Sequence, residues 1–395
     1  MNIALVSPAS LPATQFGGIM FLALDIARQL SKNGENVTIY TTDLDFANNP
    51  HTFNKNLPRE EKIEKFIIKR SHVIWKFALY FVNPGIKKQM MKDDIEIIHT
   101  FGIRSYQSYI AALVSKNRNI PLIISDQSGL TTHPDLKEKG ILFKLLYFIQ
   151  KPFLNFIINQ SSKIIVANEY EKKIFEKFVS KSKISIVKNG VDLEKLKSNI
   201  DFKKKYNIEQ KYILFLGRFN KVKGIDIFIK AIKILEENKK IKEIKFLILG
   251  VDFGYEKEMY KLIQKHKLEK IIQVIKNPPR EDVISAYKNC EFLVLPSRWE
   301  LSPLTPLEGF AFKKAVISNR VHGIPYTLED KENCLLVEPE SPQLLSNAIM
   351  ELLNDSEKSK KMGELGFNFV TKIGNSENMA KNTLKVYKDV LKTQI

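Results

Sequence analysis

Two glutamates stand eight residues apart around a predicted junction between a strand and a helix. Residues 291–295 form an apolar run typical of a buried strand, Glu300 follows in a loop, and residues 307–315 have the spacing of a helix that contains Glu308. The N-terminus of a helix offers backbone N–H groups and the positive end of the helix dipole to a phosphate, and carboxylates beside it can hold sugar or ribose hydroxyls. A nucleotide sugar carries both groups, so we expect a site for one here.

A helix-capping role is the alternative for one of the two glutamates. The sequence from Thr305 to Glu308 matches a capping box, with Pro306 at the first helical position. A cap explains Glu308 alone and gives no reason for Glu300 or for Trp299 beside it. We therefore expect both glutamates to belong to a functional site.

Two cations come from one short loop. Arg218 and Lys223 lie between Gly217 and Gly224, directly after a predicted strand at 212–216. A guanidinium and an ammonium at a strand end can neutralise the negative charge that develops on a departing diphosphate. Two solvated cations in a lysine-rich chain are the alternative, and the position after a strand favours the functional interpretation.

The first loop of the chain ends in two adjacent glycines. Gly17 and Gly18 let the backbone approach a ligand closely, but they lack the spacing of a dinucleotide fingerprint. Asp43 stands where a dinucleotide fold would place its ribose acid, so NAD binding is an alternative. Asp43 and Asp45 also match the short D-x-D pattern of metal-dependent sugar transferases. A solvated loop explains that pattern better, and we expect no essential metal and no other cofactor.

Two polar residues follow or end strands in the first half. His99 ends a predicted strand at 95–99, and Asp126 follows a predicted strand at 121–125. Either side chain could act on an acceptor hydroxyl from the carboxyl edge of a parallel sheet. A structural histidine and a carboxylate that caps the next turn are the alternatives, and His133 is a further candidate nearby.

Short apolar strands alternate with helix-length segments along the whole chain, and the opening β-α-β pattern of residues 3–42 restarts at 212. This is typical of an α/β protein with two Rossmann-like, doubly wound parallel-sheet domains that face a cleft, where the ligands would bind. We predict domains at 1–188 and 189–375, with a C-terminal helix at about 376–395 that packs back on the first. The other predicted strands are 163–168, 184–187, 245–249, 271–275, 315–318 and 334–338.

The charge of the chain is strongly positive but diffuse. The net charge of +18 divides into +10 for residues 1–190, with 26 basic and 16 acidic residues, and +8 for the remaining 36 and 28. No stripe combines basic residues with aromatics as single-strand binders do, so we expect no nucleic-acid partner. An anionic membrane surface remains a possible partner, because segments 73–82 and 140–158 are very apolar and contain lysines; helices packed on the sheet are the alternative.

No secretory signal opens the chain, and no run of 18 apolar residues could span a bilayer. We therefore expect a cytoplasmic protein, with peripheral attachment to the inner face of the membrane as an option.

Taken together, the glycine pair at 17–18, the segment 189–192, the loop 217–224 and the segment 300–308 resemble glycosyltransferase family 4, nucleotide-sugar enzymes of the GT-B fold. The resemblance spans nearly the whole chain and is strongest from 189 to 353. It implies that Arg218 and Lys223 hold the diphosphate, aided by the backbone of Leu304 and Thr305. It further implies that Glu300 holds the donor sugar and Glu308 the ribose.

The chain departs from the pattern of that family at two places. Leu301-Ser-Pro303 replaces the usual glycine-aromatic-glycine run, and Asp126-Gln127 replaces the usual histidine. The first change leaves the sugar open, and the second leaves open whether Asp126 or His133 takes the place of the histidine.

The resemblance implies a retaining, metal-independent transfer of a hexose from a UDP- or GDP-sugar to a saccharide or lipid-linked acceptor. A sugar-nucleotide epimerase or hydrolase of the same fold is one rival. A catalytically silent subunit that binds a nucleotide sugar is another.

Overall fold

The computed structural model describes residues 1–45, 52–126, 130, 141–238, 241 and 243–393, and it describes only the backbone of 141–147. The chain divides into two compact units. Unit 1 comprises Met1–Gly190 and Ser376–Ile395, and unit 2 comprises Val191–Asn375.

Unit 1 is built on an eight-stranded sheet with the order β12-β11-β10-β9-β1-β2-β6-β5. Neighbouring strands are parallel, except that β5 and β6 form an antiparallel hairpin. Two small antiparallel pairs, β3 with β4 and β7 with β8, lie outside this sheet. The strands are β1 Asn2–Val6, β2 Asn36–Thr42, β3 Leu44–Asp45, β4 Thr52–Phe53, β5 Glu60–Ile63, β6 Phe66–Ser71, β7 Trp75–Phe77, β8 Tyr80–Val82, β9 Ile97–Phe101, β10 Leu122–Ser125, β11 Lys163–Val166 and β12 Ile184–Ile186.

The strands at the centre of this sheet are buried on both faces because helices cover them. Every residue of β9 and β10 is buried, as are four of the five residues of β1. The helices of this part of unit 1 are α1 Gly18–Lys32, α2 Gly85–Lys92, α3 Tyr106–Arg118, α4 Ile141–Gln160 and α5 Glu169–Phe175.

One of the two apolar segments is not helical. Residues 73–82 form the β7–β8 hairpin, with Ala78 at a φ of 49° in its turn. The alternative of a helix packed on the sheet is therefore wrong for this segment. The second apolar segment is the helix α4. Among the residues described, no helix is long and apolar enough to cross a membrane.

Unit 2 is built on a six-stranded parallel sheet with the order β15-β14-β13-β16-β17-β18. Its strands are β13 Lys211–Leu216, β14 Ile244–Gly250, β15 Ile272–Lys276, β16 Leu293–Leu295, β17 Val316–Asn319 and β18 Cys334–Val337. Its helices are α6 Phe202–Lys205, α7 Ile225–Glu237, α8 Glu256–Lys265, α9 Arg280–Asn289, α10 Leu304–Ala311, α11 Pro342–Asn354 and α12 Ser356–Lys372. The predicted α/β class with Rossmann-like parallel sheets is confirmed in both units.

The last helix, α13 Ser376–Lys392, belongs to unit 1. It packs against α1, and Gln29 of α1 donates a hydrogen bond to Ser376 Oγ at 3.0 Å. In its middle, Tyr387 is fully buried. A helix from the end of the chain thus completes the packing of the first unit.

Candidate active site

Three loops of unit 2 lie at the carboxyl ends of neighbouring strands. They follow β13, β16 and β17, which are adjacent in the sheet. The chain runs outward from β13 to β14 and β15 on one side and continues with β16 on the other, so the strand order reverses between β13 and β16. Ligands of open α/β sheets bind at this switch point.

Glu300 lies in the loop after β16, and its side chain is buried. Ser297 Oγ donates a hydrogen bond to Glu300 Oε1 at 2.9 Å, and the Lys223 ammonium donates a short one to the same oxygen. Lys223 comes from the loop after β13. The structure therefore brings together one predicted carboxylate and one predicted cation.

The two loops can meet because residue 224 is a glycine. Gly224 has a φ of 68°, and a Cβ on it would lie 1.9 Å from the carbonyl oxygen of Pro296. Any side chain there would push the loops apart. The other predicted cation, Arg218, is exposed, and its guanidinium carbon lies 4.9 Å from the centre of the Phe253 ring. Arg218 also interacts electrostatically with Glu300.

Arg298 ties the same loops together and was missed in the sequence. Its guanidinium donates two hydrogen bonds to Asp226 at 2.7 and 2.9 Å, and one to the Lys221 carbonyl at 2.6 Å. Its backbone N–H donates to the Val222 carbonyl at 2.8 Å. Burial alone would raise the pKa of Asp226, but the hydrogen bonds and charge of Arg298 outweigh it and lower that pKa. Arg298 thus positions the loop that carries Lys223.

The loop after β17 supports Glu300 from the other side. The Gly323 N–H donates to the Glu300 carbonyl at 3.0 Å, and a Cβ on Gly323 would lie 1.7 Å from the Leu301 carbonyl oxygen. The rings of Trp299 and His322 have their centres 6.5 Å apart. The backbone of Glu300 is therefore held by contacts that require a glycine at 323.

Glu308 has partners of its own. Its carboxylate is buried and accepts hydrogen bonds from the Tyr287 hydroxyl at 2.7 Å and from two nitrogens of Arg280. Both donors lie on α9. Burial and the Glu308 charge raise the pKa of Tyr287 well above its ordinary value. The two glutamates thus have separate sets of partners, one from loops and one from a helix.

The helix that contains Glu308 begins earlier than predicted. It starts at Leu304, three residues before the predicted position, and its N-cap is Pro303, which makes no side-chain cap hydrogen bond. The capping box from Thr305 to Glu308 is therefore wrong. Leu304 and Thr305 are the first two helical residues, and their N–H groups have no acceptor within the helix. They remain the predicted phosphate-binding amides.

In unit 1 the glycine pair begins α1 after the loop that follows β1. Gly17 has a φ of 98°, a conformation that residues with side chains rarely adopt, and it is the N-cap of the helix. Gly18 is the first helical residue and is exposed. Both glycines lie at the carboxyl end of β1, and their predicted role toward the donor remains a prediction.

His99 lies inside a strand and not at its end, because β9 continues to Phe101. That part of the prediction is wrong. The imidazole is fully buried; Nδ1 lies 2.6 Å from Tyr387 Oη and Nε2 lies 2.8 Å from Ser125 Oγ. Burial lowers the pKa of His99 to about 3, so the ring is neutral. This geometry favours a structural role that holds α13 on the sheet.

Asp126 follows β10 and is buried. It accepts a hydrogen bond from the Leu130 N–H at 3.0 Å, as expected of a carboxylate that caps a turn. His133 and Gln127 lie outside the described residues. The choice between Asp126 and His133 therefore stays open.

Glu171, in the first turn of α5, is a second buried carboxyl near Asp126 and was not predicted. Its Oε2 accepts from the Ala167 N–H at 2.7 Å, and its Oε1 has no hydrogen-bond partner among the residues described. Burial raises the pKa of Glu171 to about 8; the Ala167 hydrogen bond opposes this effect and the Asp126 charge adds to it. The side chain is thus largely protonated at neutral pH.

Asp43, in unit 1, orients a histidine that was also missed. The carboxylate is fully buried and lies 2.6 Å from His72 Nδ1, 3.1 Å from the Val73 N–H and 3.5 Å from the Arg59 guanidinium. His72 directly follows β6 and is partly exposed. A carboxylate that accepts from Nδ1–H leaves Nε2 of a neutral imidazole as an acceptor. Asp43 therefore holds His72 in the tautomer of a base instead of lying open to a ribose.

The second carboxylate of the D-x-D pattern is also engaged, since Asp45 accepts a hydrogen bond from Asn54 at 2.9 Å. Within the described residues, no group of three or more His, Cys, Asp or Glu side chains is arranged to hold a metal ion.

Comparisons with known proteins cover almost the whole chain. Residues 16–195 match the family model described as Glycosyltransferase Family 4, and residues 197–369 match the one described as Glycosyl transferases group 1.

Two relatives and one solved structure illustrate the similarity. An uncharacterized glycosyltransferase from Methanocaldococcus jannaschii is 28% identical over 90% of this chain and 93% of its own length. The UDP-Gal:alpha-D-GlcNAc-diphosphoundecaprenol alpha-1,3-galactosyltransferase of Escherichia coli is 25% identical over 76% of each chain. The structure of sucrose-phosphate synthase from Thermosynechococcus elongatus superposes with a TM-score of 0.80, at 19% identity over 99% of both chains.

Proposed function

The chain belongs to glycosyltransferase family 4 and has the GT-B fold, and we propose that it transfers a hexose from a UDP- or GDP-sugar to a saccharide or lipid-linked acceptor. We further propose that the transfer retains the anomeric configuration and needs no metal ion. The E. coli relative is named for a UDP-galactose donor and a diphosphoundecaprenol-linked acceptor. That name supports UDP as the first base to test and a lipid-linked sugar as the first acceptor.

The partly buried contact between Glu300 and Lys223 is the main support for this function. It joins loops at the switch point of the unit 2 sheet, where the fold favours ligand binding. A carboxylate can accept hydrogen bonds from sugar hydroxyls, while the ammonium can bind the diphosphate. An ammonium has three donors and Glu300 takes one, so Lys223 can bind Glu300 and a phosphate oxygen together.

The leaving group needs compensation for the charge that it gains. In the proposed reaction the bond from the anomeric carbon to the phosphate oxygen breaks, and the electron pair stays with the nucleoside diphosphate. Arg218, Lys223 and the N–H groups of Leu304 and Thr305 would stabilise that charge. The cations can thereby serve in place of a divalent metal ion.

The acceptor completes the balance of the reaction. Its hydroxyl oxygen forms the new bond on the face from which the diphosphate departs, and its proton passes to a departing phosphate oxygen. The configuration is then retained without a covalent enzyme intermediate. The role proposed for Glu300 in this step is to hold the donor hydroxyls, and not to take the proton.

On the acceptor side we propose His72 as a binding residue of unit 1. The buried Asp43 fixes its ring, and its partial exposure at the carboxyl end of β6 suits contact with a polar ligand. Asp126 remains a second candidate at the carboxyl end of β10. The cytoplasmic location expected from the sequence also remains a prediction.

Binding and turnover are tested separately. In a thermal-shift panel, UDP, GDP, ADP, NAD and their common sugar conjugates are added with and without EDTA, because a ligand of the folded state raises the melting temperature. Stabilisation by UDP or GDP and its sugar conjugates that survives EDTA supports the proposal. Stabilisation by NAD alone contradicts it.

The stabilising donor is then incubated with and without lipid-linked acceptors. Consumption only with an acceptor supports a transferase. Consumption without an acceptor indicates the epimerase or hydrolase instead. Binding of the donor with no consumption of it under any condition indicates the silent subunit. The altered segment Leu301–Pro303 is the reason to test for this outcome.

A further inference from the structure

The β7–β8 hairpin of unit 1 exposes large apolar side chains to solvent. Trp75 is 55% exposed, and three apolar neighbours are similarly open. The exposed apolar residues of the hairpin are Ile74, Trp75, Phe77 and Leu79. Single exposed apolar residues are ordinary, but a cluster of four on one hairpin indicates a binding surface.

Helix α4 exposes a second apolar cluster. Phe148 is 70% exposed, Ile149 is 53% exposed and Phe153 is 46% exposed. The three residues lie within two turns of one helix, and Lys151 between them is exposed too. This arrangement is typical of a helix that lies on an interface with its apolar side in lipid.

Helix α3 joins the two clusters into one surface. Tyr80 of the hairpin packs edge-on against Tyr106, with ring centres 6.3 Å apart. One turn later, Tyr109 packs against Phe153 of α4, with ring centres 5.3 Å apart. The hairpin, α3 and α4 are therefore contiguous. We call the surface formed by residues 74–79 and 148–153 the apolar-basic face.

The segments that contain the hairpin and helices α2, α3 and α4 carry one sign of charge. Segments 73–92, 102–125 and 141–160 contain nine Lys and Arg residues and no Asp or Glu. The absence of Asp and Glu is distinctive of these segments, because the rest of the chain contains 44 acidic residues. Apolar side chains in segments that carry only basic charged residues match a surface of anionic lipid headgroups over hydrocarbon.

We propose that the apolar-basic face docks on an anionic phospholipid bilayer, with the hairpin tip and the exposed side of α4 inserted at the headgroup boundary. A second copy of the chain is a poorer occupant. A two-fold contact through this face would place its cations against the same cations, which is unfavourable. The inference does not depend on the donor or on the reaction.

Binding to vesicles tests the proposal directly. The full chain is mixed with vesicles of phosphatidylcholine alone or with added phosphatidylglycerol, and the bound fraction is measured by flotation. We expect binding to the anionic vesicles only, and weaker binding at high salt. Each lysine near such a surface changes the affinity by roughly fivefold, so Lys76→Gln with Lys151→Gln should weaken binding by roughly 25-fold.

The apolar contribution is tested with Trp75→Ser and Phe77→Ser together, and separately with Phe148→Ser and Ile149→Ser. Each pair should weaken binding by roughly tenfold or more. Matched controls change exposed residues of unit 2: Leu344→Ser with Tyr260→Ser, and Lys257→Gln with Lys361→Gln. Melting temperatures show that each variant is folded.

Several results would overturn the proposal. One is equal binding to neutral and anionic vesicles, or no binding to either. Another is equal loss of binding in the control and test variants. A third is a dimer that the Trp75 and Phe148 variants convert to a monomer, which would assign the face to a second copy. Displacement of the vesicles by single-stranded DNA at equal charge would assign it to a nucleic acid.

Discussion

Replacing Glu171 by glutamine should stabilise the protein at neutral pH. The Glu171 side chain is buried; one carboxyl oxygen accepts the Ala167 N–H, and the other has no hydrogen-bond partner within the described part of the chain. Burial is the main reason why its pKa is raised from 4.5 to about 8. Glutamine keeps the shape and the acceptor and has no charge to bury. The N-cap hydrogen bond from the backbone N–H of residue 171 to Asn168 Oδ1 does not involve the substituted side chain and is kept.

The sign and size of the effect follow from proton linkage. Between pH 4.5 and pH 8 the folded chain holds a proton on Glu171 that the unfolded chain has released. Stability due to this group is therefore fully present below pH 4.5 and is lost as the pH rises toward 8. Each pH unit costs about 1.4 kcal/mol, so the loss at pH 7 approaches about 3 kcal/mol.

Urea unfolding of the wild type and of Glu171→Gln at pH 5 and pH 7 measures this difference. We expect the variant to be more stable by about 2 to 3 kcal/mol at pH 7 and by less than about 1 kcal/mol at pH 5. Glu169→Gln is the matched control, because Glu169 lies in the same helical turn but its side chain is 51% exposed. It should change stability by less than about 0.5 kcal/mol at either pH.

Two outcomes would be incompatible with a buried Glu171 that titrates near pH 8. If Glu171→Gln destabilises the protein at pH 7, the carboxylate is ionised and bound by a partner. If the difference between variant and wild type is the same at pH 5 and pH 7, Glu171 does not titrate between them.

Three further predictions address other parts of the molecule. Arg298→Ala leaves Asp226 without its bidentate partner and loosens the loop that carries Lys223, so the donor KM should rise tenfold or more and the melting temperature should fall. Lys361→Ala, on an exposed lysine of unit 2, is the control. An unchanged donor KM in Arg298→Ala would show that Arg298 does not position this loop. His72→Gln should raise the acceptor KM, while donor affinity measured by calorimetry stays within about twofold. Loss of donor affinity instead would show that His72 does not bind the acceptor alone. Burial lowers the pKa of His99 to about 3, so the folded chain resists a proton that the unfolded chain takes up below pH 6.5, and about 2 to 3 kcal/mol of stability should be lost between pH 6.5 and pH 4.5. In urea unfolding, His99→Gln should reduce this dependence of stability on pH. An unchanged dependence would contradict a neutral buried ring.

The central strands could be predicted because buried parallel strands are short apolar runs separated by helices. The strands predicted at 212–216 and 245–249 agree with β13 and β14 within a residue at each end. The hairpin at 73–82 could not be predicted in this way, because its residues are almost all apolar and show no period of two. Its turn uses Ala78 at a positive φ, where no glycine or asparagine signals a turn.

Local sequence patterns do not predict the partners of the site residues, because those partners are distant in sequence. Glu308 is bound by Arg280 and Tyr287, which stand 28 and 21 positions away, so its sequence neighbours do not indicate these partners. Asp43 and His72 are 29 positions apart and meet because β2 and β6 are paired in the sheet. By contrast, Lys223 and Glu300 could each be selected from the sequence, since both follow strands that end at the same edge.

We expect the Glu300–Lys223 contact and Arg218 to form the site for the donor diphosphate. Isothermal titration with UDP and GDP in the presence of EDTA measures the affinity of this site. The proteins compared are the wild type, Arg218→Ala, and the double variant Lys223→Met with Glu300→Gln, in which neither member of the ion pair is left charged without the other. Loss of one charge-assisted hydrogen bond to phosphate should weaken the affinity of each variant by roughly 10- to 100-fold, while Lys257→Ala binds normally. Unchanged affinity in both site variants would show that the diphosphate binds elsewhere.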